Sequence, residues 1–242
     1  MTGATPAEFY ERIADRFEGL DHPADVRERL RVVFDVCLAD VPLAGRRVLD
    51  AGCGYGLFSA AAAARGARVV SLDIGPRLVA LARTRGGGHG VVGDACRLPV
   101  RDASFDVVIA SEMLEHTAEP ARAVDELTRV LEPGGVLVMT TPNRAWQPVV
   151  RLASRLRLRA FRGLENFVGW AALERACAAA GLETRLHVGF HPWPFQIGLG
   201  RAARWVERGT GRGRLARLMV NQALLGRKMR LARDDGAPRN AA

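Results

Sequence analysis

Short apolar runs rich in valine alternate with helix-like stretches from residue 46 to residue 140. The runs are RRVLDA, ARVVSLD, HGVVGD, FDVVIA and VLVMTT, and the stretches between them include LFSAAAAARG, PRLVALARTR and PARAVDELTRVLEPGG. When a helix follows a strand, it carries the chain back along the face of the sheet. The next strand then runs parallel to the first. The pattern therefore predicts an α/β fold, a mostly parallel sheet with helices on both faces.

The first run ends in a glycine-rich turn, VLDAGCGYG. The strand finishes at Asp50, and Gly52, Gly54 and Gly56 precede the next helix-like stretch. Glycines let the backbone approach a ligand closely, and the start of a helix offers free N–H groups. A dinucleotide fingerprint would place its third glycine where this chain has Leu57. The turn therefore predicts a ligand site whose spacing differs from that fingerprint.

Acidic residues end three consecutive predicted strands. Asp50 ends the first, Asp73 the second and Asp94 the third. Ligands bind at the carboxyl ends of strands in open α/β sheets, and a carboxylate about 20 residues after the glycine turn can accept hydrogen bonds from ribose hydroxyls. The alternative for each acid is a helix cap or a turn. Three acids in the same position on successive strands favour the ligand site.

Five segments, in this order and spacing, resemble the successive motifs of class I S-adenosylmethionine-dependent methyltransferases. They are VLDAGCGYG, SLDIG, VVGDACRLPV, FDVVIASEMLEH and LEPGGVLVMTTPN, and the resemblance covers residues 46–143. It implies a Rossmann-like, seven-stranded sheet with an antiparallel last strand, and S-adenosylmethionine as cofactor. The implied cofactor site has Gly52, Gly54 and Ser111 at the methionine part, Asp73 at the ribose, Ile74 at the adenine face, and Asp94 and Ala95 at the adenine edge. Asp50 and Gly56 complete the predicted cofactor-binding set.

The flanking segments complete the predicted domain. Apolar residues recur at helical spacing before the sheet, beginning with Phe9, Ile13 and Phe17. The alternation is interrupted after the fifth run and then resumes with AALERACAAAGLETRLHVG. We predict a single methyltransferase domain over 1–242, made of a helical cap (1–45), a cofactor-binding core (46–143), a basic insertion near the substrate site (144–170) and a C-terminal completion of the sheet (171–232).

Within that class, four strings are most similar to the O-methyltransferases of ubiquinone biosynthesis. They are EMLEHTAEP, TTPNR, GFHPWPFQIGLG and VNQALL. This similarity implies methyl transfer to a small-molecule acceptor, a hydroxyl on a phenol, a quinone precursor or a secondary metabolite. A phenol has a pKa near ~10, so a base or a metal ion assists its reaction at neutral pH.

Glu112, Glu115 and His116 are the candidates for that assistance. Their spacing of three and four residues would place them on one face of a helix. His116 and Glu112 are the predicted catalytic residues, with the carboxylates orienting a basic histidine. The resemblance also implies that all three hold Mg²⁺. In the alternative interpretation His116 caps or packs the helix and the glutamates meet solvent or arginine.

Two further histidines, His187 and His191, flank a Gly-Phe pair near Trp193 and Phe195. They would either face the acceptor pocket or belong to a packed aromatic segment. The sequence favours the packed segment.

The net charge of +9 is concentrated in the second half of the chain. Between Arg144 and Arg233 there are 18 basic and 4 acidic residues. Within residues 148–162 a helix would separate two stripes, which are Val149, Leu152, Ala153, Leu156 and Ala160 on one side and Arg151, Arg155, Arg159 and Arg162 on the other. A basic amphipathic helix is typical of a peripheral contact with an anionic membrane, although it is also compatible with a solvated helix covering the pocket.

Other functions are weaker matches. A basic half suits an RNA or DNA methyltransferase, but SEMLEH lacks the N/D-P-P-Y/F motif of enzymes that methylate base amino groups, so nucleic acid is not the expected partner. An N- or C-methyltransferase of a natural-product pathway and a non-catalytic cofactor-binding scaffold stay open, as does the oligomeric state. The four cysteines lack metal or disulfide spacing, and no run reaches the ~20 apolar residues of a membrane span. We expect a soluble, cytoplasmic protein with neutral thiols and at most a peripheral membrane contact.

Overall fold

The computed structural model describes residues 5–156, 164–194 and 200–230. Its centre is a seven-stranded sheet in the order β3-β2-β1-β4-β5-β7-β6. Strand β7 is antiparallel to both of its neighbours, and the other pairings are parallel. The strands are β1 (Arg47–Ala51), β2 (Arg68–Asp73), β3 (His89–Val92), β4 (Phe105–Ser111), β5 (Leu131–Pro142), β6 (Leu182–Phe190) and β7 (Asn221–Lys228). The predicted fold class, with its antiparallel last strand, is confirmed.

Helices cover both faces of this sheet, as the alternation predicts. They are α1 (Pro6–Phe17), α2 (Pro23–Arg31), α3 (Leu57–Ala63), α4 (Pro76–Gly86), α5 (Pro120–Arg129), α6 (Gln147–Arg155), α7 (Trp170–Ala179) and α8 (Gly200–Thr210), and a π-helical segment (Val32–Cys37) continues α2. Successive strand residues face opposite sides: Leu49 packs with Leu127 and Leu173 from α5 and α7, whereas Val48 packs with Phe34 and Phe58 on the other face.

The predicted N-terminal cap consists of α1 and α2. Thr5 and Glu8 form a reciprocal capping box that fixes the start of α1. Ion pairs from Arg77 to Glu11 and from Arg85 to Glu18 tie α1 and the turn after it to α4. The cap therefore lies across the carboxyl ends of β1 and β2.

The basic insertion contains helix α6 in the part that the structure describes. Helix α6 ends at Arg155, and Arg159, Ala160 and Arg162 lie outside the described residues. All four cysteines are free thiols, and Cys37, Cys53 and Cys177 are buried. Within the described ranges no helix is both long and apolar enough to cross a membrane.

Candidate active site

The glycine turn after β1 has a backbone that side chains rarely allow. Gly52, Gly54 and Gly56 have φ of +72°, +50° and +88°. A Cβ at Gly52 would fall 2.4 Å from the Met113 Cγ, and one at Gly56 would fall 2.5 Å from the Ala82 Cα. Gly52 and Gly54 line the cavity at the end of the strands, whereas Gly56 packs against α4. The cofactor contact of Gly56 stays a prediction, and what the structure shows at Gly56 is its close approach to α4.

Asp73 is the best-oriented carboxylate at this edge of the sheet. Its Oδ2 accepts a hydrogen bond from the Gly54 N–H and its Oδ1 one from the Gly75 N–H, both at 3.0 Å. The side chain is buried and lines the cavity with Ile74. Burial raises the pKa of Asp73, and the backbone donors oppose that rise. Asp73 is therefore held in place by the same glycine turn whose backbone it faces.

Asp50 differs from Asp73 although it ends the neighbouring strand. It is fully buried beneath the turn, where its Oδ2 accepts a 2.6 Å hydrogen bond from the Ser59 hydroxyl. Ser59 is also 2.7 Å from the Ser71 hydroxyl, oxygen to oxygen. Burial raises the pKa of Asp50 to about 6. Asp50 lines neither cavity of this site and is bound to Ser59 of α3, so its contact with the cofactor stays a prediction that the cavity lining does not support.

A cavity of about 180 Å³ lies over the ends of β1, β2 and β3. Asp94 and Ala95 line it as predicted, and the Asp94 carboxylate also accepts a 2.8 Å bond from the Cys96 N–H. Tyr10 and Phe17 of α1 form its roof. These cap residues were not predicted as part of the site, because the sequence shows only that they lie on one face of a helix.

A second cavity, of about 220 Å³, adjoins the first at Phe17, Gly52, Gly54, Glu112 and His116. Its lining is charged and comes from the cap, from the end of β4 and from the segment before α7. The charged or polar members are Asp21, Asp25, Arg29, Ser111, Glu112, Glu115, His116 and Glu165. The site thus consists of two joined chambers.

Residues 112–116 do not form the predicted helix. Glu112 has a left-handed φ of +51°, and residues 114–116 make one short 3₁₀ turn. The Glu112 carboxylate therefore turns toward β7, where the Asn221 side-chain amide donates to both of its oxygens at 3.2 Å. Glu115 accepts a 3.0 Å bond from Thr141. The helical spacing on which the cluster was predicted is lost at Glu112.

The predicted magnesium set is not assembled. The His116 Nε2 lies 3.9 Å from the Glu115 Oε1, and the His116 Nδ1 lies 2.7 Å from the Leu164 carbonyl oxygen. In the part of the chain that the structure describes, no three histidine, cysteine, aspartate or glutamate side chains are grouped so that they could hold a metal ion. The arrangement therefore gives no support to the predicted Mg²⁺ set of Glu112, Glu115 and His116, whose members lie at a strand end and in a short 3₁₀ turn rather than on one helix face.

The two glutamates nevertheless share one electrostatic environment. Burial, with the neighbouring Glu115, raises the pKa of Glu112 to about 8, and Arg29 opposes the rise. Burial raises the pKa of Glu115 to about 7. Two carboxylates this close cannot both ionise freely in a low-dielectric cavity. Burial thus favours the protonated, neutral form of both carboxyl groups.

Arg29 is a functional candidate that sequence reasoning missed. It is a buried cation of α2 in the second chamber, with Asp21 at 2.9 Å from its Nη2 and Asp25 at 2.9 Å from its Nε. The Asp25 contact is close enough for an ion pair, but the Nε–H has no well-aligned hydrogen-bond acceptor. Its only sequence signal was an arginine inside a largely polar helix, which does not distinguish it from its exposed neighbours.

The C-terminal histidines are packed rather than open to the cavities. His187 stacks on Trp170 with ring centroids 3.5 Å apart. His191 is buried, with its Nε2 3.0 Å from the Asp25 Oδ1, so it touches the second chamber only through Asp25. Trp193 lines neither chamber. Phe195 lies outside the described residues.

Residues 49–139 match the family model described as a methyltransferase domain. The match covers the centre of the sheet, so residues 49–139 are similar to a methyltransferase domain, and the sheet order with its antiparallel β7 agrees with that similarity. A SAM-dependent methyltransferase of Thermotoga maritima, described as a possible histamine N-methyltransferase, has the same fold. Its TM-score is 0.69 at 20% identity, with 93% of this chain and 100% of that chain covered.

Two curated relatives that the chain resembles share one name. The ubiquinone biosynthesis O-methyltransferase of Xylella fastidiosa (strain 9a5c) is 44% identical over 119 residues, which cover 47% of this chain and 48% of that protein. The protein of the same name from Xanthomonas oryzae pv. oryzae (strain PXO99A) is 39% identical over 142 residues, covering 56% and 59%. The chain thus spans about half of the length of the curated relatives it matches.

Proposed function

We propose that this protein transfers a methyl group from S-adenosylmethionine to a hydroxyl of a small phenolic or quinone-precursor acceptor. The observation that carries the proposal is the pair of joined chambers, one lined by the oriented Asp73 and the other by Glu112 and the buried Glu115. The names of the curated relatives support a hydroxyl acceptor. Bound S-adenosylmethionine would supply a methyl group on a sulfonium, the acceptor would attack the methyl carbon in line, and S-adenosylhomocysteine would be the leaving group.

The residues of the first chamber fit the nucleoside half of that cofactor. Asp73 keeps acceptor capacity beyond its two backbone bonds, so it can accept from ribose hydroxyls. Ile74 and Ala95 offer apolar surface for the adenine, and Asp94 lies at its edge. Where the chambers join, the left-handed glycines Gly52 and Gly54 leave room for the methionine part.

Arg29 fits the charged end of the cofactor. A buried guanidinium that lines a chamber is suited to a carboxylate, because the planar fork binds two oxygens at once. Asp21 and Asp25 hold the guanidinium at the wall and offset the cost of burying it. We therefore propose that Arg29 receives the α-carboxylate of the methionine part.

The glutamate pair fits the proton that a phenol must lose. Burial raises the pKa of Glu112 toward that of a phenol, ~10, so the ionised carboxylate is a stronger base toward a phenol than an ordinary glutamate. Glu112 lines both chambers, so it lies where acceptor and methyl donor would meet. His116 lines the same junction and is the second proposed proton carrier.

A methyl-transfer screen with labelled S-adenosylmethionine tests the acceptor class. We expect transfer to catechols and hydroxyquinols and none to amino sugars or RNA. Labelling of amino sugars alone would replace the proposal by N-methylation. Labelling of RNA together with a gel shift would replace it by the nucleic-acid alternative.

We further propose that helix α6 brings the enzyme to an anionic membrane surface. Seven of the eleven large apolar side chains exposed in the described part of the chain lie between residues 149 and 218. Three of them, Val149, Leu152 and Leu156, lie along α6 and the residue after it, and Arg151 and Arg155 lie on the same helix. An exposed apolar stripe beside arginines suits the boundary between lipid headgroups and acyl chains.

Cosedimentation with vesicles that contain phosphatidylglycerol tests this contact. We expect binding at low salt and its loss in the double variant Arg151→Glu/Arg155→Glu, since each arginine contributes ~1 kcal/mol near such a surface. The matched control, Arg97→Glu/Arg101→Glu, makes the same change of charge at exposed arginines outside α6. Equal binding by both variants would mean that α6 is an ordinary solvated helix.

A further inference from the structure

A third cavity, of about 400 Å³, lies apart from the two chambers of the active site. It is bounded by the end of α2, the π-helical segment, the end of β6, and α8 with the loop that follows it. Among the described residues, none of those that line it also lines either chamber. Its volume falls in the range of small-molecule sites, about 300–1,000 Å³.

The lining of this cavity divides into an apolar part and a basic part. The apolar side chains are Val32 and Val36 from the π-helical segment and Val188 and Phe190 from β6, and the basic ones are Arg31, Arg204, Arg208 and Arg212. Among the described residues, Glu207 is the one acidic residue of its lining. The combination suits a ligand with an apolar body and an anionic group.

The charges of the cavity are not balanced by the surrounding protein. The Glu207 Oε1 accepts a 2.7 Å bond from the His191 N–H, and its Oε2 lies 3.3 Å from the Arg31 Nη2. Arg31 also pairs with Glu28. The carboxylates are thus engaged with Arg31 and the backbone. This leaves the arginines of α8 and its following loop without a carboxylate.

Those three arginines form no ion pair with any residue in the described ranges. They are Arg204, Arg208 and Arg212, of which the first two are four residues apart on α8 and so project from the same face of the helix. Like charges at this spacing repel each other, and an anion between them removes the repulsion. Guanidinium groups also match phosphate oxygens in pairs, as an ammonium does not.

We propose that this cavity binds an organic phosphate whose apolar part lies on the valines and Phe190 while its phosphate lies between Arg204 and Arg208. The site is separate from the methyl-transfer site and does not rest on the proposed acceptor. A soluble phosphomonoester and the phosphodiester of a lipid headgroup present the same chemistry to the arginines.

Calorimetry with three probes tests the proposal on the full chain. Octyl phosphate represents the monoester, monomeric dihexanoyl phosphatidylglycerol the lipid headgroup, and inorganic phosphate the charge alone. We expect one of the two apolar esters to saturate a single site and to bind more tightly than inorganic phosphate. The tighter ester identifies the source of the ligand.

The double variant Arg204→Gln/Arg208→Gln should weaken the binding of the preferred ester by roughly tenfold or more, because it removes the charge-assisted hydrogen bonds from the two guanidinium groups to the phosphate. The control Arg201→Gln/Arg214→Gln removes two exposed arginines of the same region that do not line the cavity. Both variants should keep the wild-type circular dichroism and affinity for S-adenosylhomocysteine, which shows that they are folded. The proposal is overturned if neither ester binds, if the esters bind no better than inorganic phosphate, or if the two variants bind equally well.

Discussion

Replacing Asp73 by asparagine should separate a cofactor carboxylate from a structural one. In the wild type, two backbone N–H groups orient the side chain, and its remaining lone pairs face the chamber. Asparagine is nearly the same size, but it has no charge and turns an NH₂ toward one of these donors. A hydrogen bond to a charged group contributes about 1.5–3 kcal/mol. The Asp73→Asn variant would lose the charge-assisted hydrogen bonds to the ribose and one bond to the backbone. The free energy of cofactor binding should therefore become less favourable by about 2–3 kcal/mol, which is roughly 30- to 150-fold in affinity.

Asp50→Asn is the matched control for this change. Asp50 ends the adjacent strand and is at least as buried, but its carboxylate accepts from Ser59 and lines neither chamber. An asparagine oxygen can keep that bond, so affinity should change less than about threefold. Titration calorimetry with S-adenosylhomocysteine measures both variants, and thermal unfolding confirms that both are folded. Equal affinities for the two variants, or an unchanged affinity for Asp73→Asn, would refute the assignment of Asp73 to the cofactor.

Three further predictions follow from the same geometry. The pKa of Glu112 is raised from 4.5 to about 8, so the folded state holds more protons than the unfolded state between these values and loses stability as pH rises through them. Denaturant unfolding should therefore show that the free energy of unfolding of Glu112→Gln rises relative to wild type by on the order of 2–4 kcal/mol from pH 5 to pH 9. A difference that does not change with pH would contradict the raised pKa. Gly56→Ala should lower the free energy of unfolding by about 3 kcal/mol, because the added Cβ meets Ala82 in a left-handed turn. The control Gly45→Ala also has a left-handed φ but open space around it, so it should lower the free energy of unfolding by about 1 kcal/mol. Similar melting temperatures for the two variants would argue against the close contact. Arg29→Lys should weaken the binding of S-adenosylhomocysteine by about tenfold and leave the binding of adenosine unchanged, since adenosine lacks the carboxylate. An equal loss of affinity for both ligands would mean that Arg29 does not bind the carboxylate.

Much of the fold follows from local pattern. The valine-rich runs, the helix-like stretches and the glycines that end them predict the parallel strands β1 to β5, because strand and helix periodicity are properties of neighbouring residues. The number of seven strands and the antiparallel last strand are implied by the family resemblance alone. The same holds for the position of Asp73 after β2. Its distance from the glycine turn along the chain is set by one helix and one strand.

The errors occur where one backbone angle or one distant segment decides the outcome. Glu112 and Glu115 have the spacing of a helix face, but the left-handed φ at Glu112 ends the strand and sends its carboxylate to Asn221. Arg29 reaches the second chamber because α2 folds over the sheet, a contact between segments far apart in sequence.

Asp50 and Asp73 show the division most clearly. By itself the sequence determined that both acids end neighbouring parallel strands next to a glycine turn, since this needs only the strand pattern and its register along the chain. Only the tertiary structure decided that Asp50 turns under the sheet edge to Ser59 while Asp73 turns up to the Gly54 and Gly75 N–H groups. The physical reason is that a buried carboxylate takes the direction in which packed neighbours supply hydrogen-bond donors, and those donors come from helices and turns whose positions the strand pattern does not contain.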